Sequence, residues 1–105
     1  MKPGLWDEVI ERDAHTIWEW LSRPGTFVRW RHRQRIICIV PMLEPTNRHV
    51  CSGKQTVDHV KDEPMMGKRA PDDLRHLLAM CEGHNVWFPP SKALRQAERE
   101  HLRLS

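Results

Sequence analysis

No stretch of this chain is long and apolar enough to cross a bilayer, and Met1-Lys2-Pro3-Gly4 leads into a polar helical pattern instead of a leader's apolar core. The expectation is a cytoplasmic protein with no membrane partner. Internal repeats are absent, which argues against solenoids and propellers. Low-complexity tracts are absent too, so no segment reads as a compositional linker. The three cysteines, Cys38, Cys51 and Cys81, are an odd number and cannot all pair off. In a reducing compartment they point to metal ligation or simple burial over disulfides. Neither sign of charge dominates: 17 basic and 14 acidic residues leave a net +3. A pI near 9.0 is compatible with a nucleic-acid partner and does not require one.

What remains is an ordinary globular composition, 30% charged and 39% apolar, in 105 residues, enough for a single domain over residues 1–105. So short a chain buries a modest core, and a structural metal would supplement it. The 7 histidines add groups that bind metal or protons.

Residues 5–22 read as an N-terminal helix, with Leu5, Trp6, Val9, Ile10, Ile17, Trp18 and Leu21 at three- and four-residue steps and Pro24-Gly25 as the stop. The β-branched run at 36–40, ended by Pro41, predicts a strand. Residues 44–49 read as a loop, 55–60 as a strand and 61–73 as a long loop carrying Pro64, Gly67 and Pro71. Residues 76–80 fit a strand or a first helical turn, with helix expected from near Cys81 until Pro89-Pro90. Ser91 is a good N-cap for a last charged helix over 91–104, a brace or lid. The five tryptophans are read as core and edge packing.

The chemistry concentrates between Cys51 and Asn85. It holds Val57-Asp58-His59-Val60, a Gly-containing loop, and then Leu77-Leu78-Ala79-Met80-Cys81-Glu82-Gly83-His84-Asn85. Hydrolysing a phosphodiester needs a base to activate water and a metal to stabilise charge on the phosphate. Neighbouring residues on a strand point to opposite faces, so Asp58 can hold a metal while His59 faces the water. The amide oxygen of Asn85 would complete a hard-oxygen site with open positions. Cys81-x-x-His84 has the spacing of a zinc ligand pair, with Cys38 and Cys51 as partners and His49 as an alternative. Cys38 lies in an apolar run, where core packing explains it almost as well.

These motifs resemble the HNH nuclease family, over residues 51–85 and more loosely 38–91. The resemblance implies an α+β chain with a ββα-metal (HNH / His-Me finger) core at about 38–91, flanked by N- and C-terminal helices. It implies a DNA endonuclease using Mg²⁺, Mn²⁺ or Ni²⁺ on Asp58 and Asn85, with His59 as base and structural Zn²⁺ as a second metal. His76 falls where the family has its central Asn, which braces the loop and orients the base. A second register makes Asp73-Leu74 that step and His84 the terminal catalytic residue. The family's early Arg-Asp-Gly-x-x-Cys segment is only partly matched by Arg12-Asp13-Ala14-His15-Thr16-Ile17, which lacks the Cys. Short stand-alone members are frequent in bacteriophages, as homing nucleases or helpers of the terminase, so the partners implied are DNA, a terminase or other phage protein, and a second copy in a homodimer. Lys68 and Arg69 are expected to grip the DNA backbone; Arg29, Arg31 and Arg33 are either phosphate contacts or a solvated face. The alternative is a zinc-stabilised DNA-binding or assembly module that keeps the HNH shape without cutting.

Overall fold

The computed structural model describes residues 3–22, 36–62 and 70–104. Among the described residues, three α-helices and a two-stranded antiparallel sheet make a mixed α+β arrangement. Helix α1 (Leu5–Leu21) comes first, then the short helix α2 (Val40–Leu43), strand β1 (Gln55–His59), strand β2 (Leu77–Cys81) and helix α3 (Lys92–Leu102). A 3₁₀ turn (Leu74–His76) leads into β2, and a π turn (Gly83–Trp87) follows it.

Helix α1 buries Leu5, Val9, Asp13 and Ile17, one residue per turn. Asp7 and Glu8 sit in its first turn, where carboxylates offset the exposed N–H groups. The register of the sheet pairs Val57 with Ala79 and Asp58 with Leu78. Alternation then sorts the faces. Val57, Leu77 and Ala79 pack with Leu5 and Val9, while Leu78 and Met80 pack with Cys38, Ile39, Val40, Val60 and Leu94. The sheet thus lies between α1 and the C-terminal helix.

The one carboxylate in the buried stripe of α1 has a structural task. β2 is an edge strand, and its outward backbone groups need partners. Asp13 Oδ2 accepts the Ala79 N–H at 2.7 Å, and Arg12 donates to the Leu77 carbonyl at 2.5 Å. The Ala79 carbonyl accepts the Ile39 N–H at 3.0 Å. Arg12 also chelates Asp13, so the buried charge is paired. Asp13→Ala leaves the Ala79 N–H without its acceptor and the Arg12 guanidinium without its counter-charge. A loss of about 3 kcal/mol is expected, read as a lower urea midpoint at unchanged m-value.

The strand expected at 36–40 is not formed. Gln55 takes the part of a neighbouring strand with its side chain, accepting from the Ile37 N–H and donating to the Ile37 carbonyl. Pro41, in the first turn, ends the extended run, and Val40 begins α2. The helix expected from Cys81 is a single π turn, because β2 runs on through Cys81 and Phe88, ahead of Pro89, is extended. α3 starts as expected, with Ser91 Oγ accepting the Leu94 N–H, and ends at Leu102. Three tryptophans depart from the packing expectation: Trp6, Trp18 and Trp87 are exposed. Trp20 is half-buried and Trp30 lies outside the described residues. No helix among the described residues is long and apolar enough to cross a membrane.

Candidate metal centre and the adjoining Asp58–His59 pair

Two turns meet at the end of the sheet. The Glu82 N–H donates to the Lys54 carbonyl, and the Gly83 N–H donates to the Ser52 carbonyl at 3.0 Å. Glycine suits this approach: a Cβ on Gly83 would stand 2.3 Å from Ser52 Oγ and force that hydroxyl to turn away. Gly53 on the opposite turn adopts φ 77°, the left-handed region open to glycine. The zipped turns bring Cys51 against Cys81 and His84, and the segment before α2 supplies Cys38.

The Cys38, Cys51 and Cys81 sulfurs and one His84 ring nitrogen lie within 4.8 Å of one another, and the group can hold a metal ion. Among the described residues no other set of three or more His, Cys, Asp or Glu side chains converges in this way. His84 Nδ1 faces the thiols, at 3.6 Å from Cys38, 3.7 Å from Cys51 and 3.0 Å from Cys81. Its Nε2 lies 2.9 Å from the His49 carbonyl, a partner that can only accept. That contact puts the proton on Nε2 and leaves the Nδ1 lone pair toward the sulfurs, the outer-sphere arrangement of metal-binding histidines. His49 therefore enters through its backbone, while its ring stacks on Phe88 at 3.9 Å.

Hydrogen bonds with Cys38 and Cys81 push His84 up to about 10. Contact with Cys51 and Cys81, together with burial, pushes the Cys38 thiol far up. Cys51 is lowered by Cys38 but raised more by Cys81 and burial, and is pushed up to about 12. Cys81, receiving hydrogen bonds from Cys38 and Cys51, is strongly lowered. Without a metal the cluster pairs one thiolate with the His84 imidazolium and keeps two thiols; a bound cation would displace those three protons.

Asp58 and His59 sit at the far end of β1. Asp58 is buried, and its Oδ2 accepts from Arg95 Nη1 at 2.7 Å. The same Nη1 donates to Glu98 Oε2 at 2.8 Å. Burial raises the Asp58 carboxyl against the pull of Arg95, and raises that of Glu98 to about 7. Glu98 is fully buried, with Oε1 unpartnered. His59, on the opposite face, has its Nε2 2.5 Å from Asp72 Oδ1. Asn85 does not face Asp58 directly: its Nδ2 donates to Thr56 Oγ1, two residues earlier on β1.

His76 is buried beside the strand end, where its carbonyl accepts the Val60 N–H. Its ring lies between Asp73, 2.7 Å from Nδ1, and Asp62, 3.5 Å from Nε2. The group that holds the His59 ring is thus Asp72. Neither Asp72, Arg95 nor Glu98 was legible as a site residue; the only signal was a carboxylate pair in a loop and charges on a helix. Lys68, Arg69, Arg29, Arg31 and Arg33 lie outside the described residues. Comparison with known proteins finds no matching family model, no matching curated protein and no matching solved structure.

Proposed function

We propose that this chain is a zinc-stabilised, divalent-metal-dependent DNA endonuclease with a ββα-metal core of the HNH kind. The observation that carries it is the Cys38/Cys51/Cys81/His84 cluster, which ties together the two strands that bear Asp58-His59 and lead to Asn85. The donor set suits zinc. A tetrahedral ion with Zn–S near 2.3 Å and Zn–N near 2.05 Å separates sulfur from nitrogen by about 3.6 Å. Two of the three edges measure 3.6 and 3.7 Å.

For hydrolysis, the second metal would be held by Asp58; Asn85, whose amide is bonded to Thr56 Oγ1, would have to turn to add its oxygen. That carboxylate already holds a cation, the Arg95 guanidinium. When bound, the metal supplies Lewis-acid stabilisation of the phosphate and the departing 3′ oxygen. His59 is the base. Asp72 holds the proton on Nε2, which leaves Nδ1 to take a proton from water. The products carry 5′-phosphate and 3′-hydroxyl ends. Supercoiled-plasmid nicking that requires Mg²⁺, Mn²⁺ or Ni²⁺ tests this; zinc-loaded, DNA-binding protein that never nicks would overturn it.

The Arg95–Asp58 pair favours a second reading, a DNA-binding or assembly module in which this carboxylate is sealed. Arg95→Ala separates the two. It strands two buried carboxylates and should destabilise by about 3 kcal/mol. If Asp58 is a metal ligand, millimolar Mn²⁺ will recover part of that loss and raise the variant's Tm more than the wild type's. An equal rise in both would favour the sealed module.

A further inference from the structure

The C-terminal helix carries a groove that no function has yet claimed. Pro90, Ser91, Lys92, Arg95, Gln96 and Arg99 line it. Three of the six are cations and none is an acid. Lys92, Arg95 and Arg99 follow one another at three- and four-residue steps, so they share one helix face. Lys92 is exposed, and Arg99 is half-buried with its guanidinium on Gln96 Oε1. Gln96 in turn donates to Glu100, and Arg95 is held from beneath by Glu98 as well as Asp58. Arg95 forms the inner wall and reaches Asp58 from there at 2.7 Å. Arg95 thus stands between the groove and the carboxylate at the end of β1.

We infer that this face of α3 binds the phosphate backbone of a DNA strand and leads it to Asp58. From Lys92 to Arg99 the helix rises about 10 Å, at about 1.5 Å per residue. A duplex strand presents a phosphate about every 3.4 Å along its axis, so the row faces about three phosphates. Planar guanidiniums with a primary amide between them suit tetrahedral phosphate oxygens. Arg95 belongs to both ends: the residue that neutralises Asp58 is the one an incoming phosphate would engage. α3 is then the strand-gripping element of the site, beyond its role as a brace.

The inference rests on the endonuclease reading for its direction but is tested by binding alone. Anisotropy of a fluorescein-labelled duplex is measured with the zinc-loaded full chain, without Mg²⁺ or Mn²⁺, from about 50 to 200 mM salt. Lys92→Gln with Arg99→Gln should weaken binding about ten-fold at 100 mM salt. It should also flatten the slope of log Kd against log salt by about 1.8, two contacts at about 0.9 each. Lys54→Gln with Arg75→Gln removes the same charge from exposed positions off the groove and should leave most of the slope. Lys92→Glu alone, at an exposed position, repeats the test with less risk to the fold. An unchanged slope in folded protein overturns the inference, as does wild type that binds no DNA or releases it equally to polyglutamate. Plasmid nicking with an unchanged slope would sink the groove and spare the nuclease; a lost slope without nicking would do the reverse.

Discussion

Cys81→Ser is expected to remove the bound metal and at least about 5 kcal/mol of stability, which is about 20 °C or more in Tm for a domain of this size. Small domains are stable by about 5–15 kcal/mol in total, and structural zinc sites contribute about 10–16 kcal/mol of apparent binding energy in peptides. Cys81 is fully buried and central to the cluster, in contact with His84 through both the ring and the backbone N–H. Its loss also releases the turn that Gly83 zips to Ser52. A strong chelator should unfold the wild type in the same way. His84→Cys keeps four ligand atoms and should retain most of the metal. Elemental analysis and thermal melts decide the matter. A Cys81→Ser chain that melts within about 5 °C of wild type, with no zinc in either, would mean the cluster is only a packed group of thiols.

His59→Ala should lower the cleavage rate of a labelled duplex in Mn²⁺ by about 10²–10⁴-fold, the usual range for losing a positioned base. The fold should survive, because the ring is 27% exposed and belongs to neither core cluster. Asp72→Asn should act in the same direction but more weakly, since the imidazole stays and loses only the partner that fixes its tautomer. A His59→Ala rate within about three-fold of wild type would assign proton transfer to another group.

The parts of the fold that could be read from sequence are those with a local cause. The four-residue apolar rhythm of α1 and the Ser91 cap each arise within a few residues, whereas the partner of β1 lies 18 to 26 positions further on. Long-range side-chain bonds had no such signature. Gln55 replaces a third strand with its amide, so the apolar run at 36–40 stays irregular. Arg12 and Asp13 read as an incomplete family motif, yet they cap the edge of β2. The four ligand residues could be nominated by type, but 13 residues separate Cys38 from Cys51 and 30 separate Cys51 from Cys81. Only the fold brings them within 4.8 Å. Arg95 and Glu98 read only as part of a charged last helix, because nothing in their neighbours announces a carboxylate on the strand beneath them.

The most direct measurement is a time course of supercoiled plasmid with zinc-loaded protein and added Mn²⁺, beside a metal-free lane and the His59→Ala chain. Nicked circles that accumulate only with Mn²⁺ and wild type, carrying 5′-phosphate and 3′-hydroxyl ends, are the result expected. Plasmid left supercoiled by folded, DNA-bound protein with every divalent metal would contradict cleavage and leave a zinc-stabilised binding module.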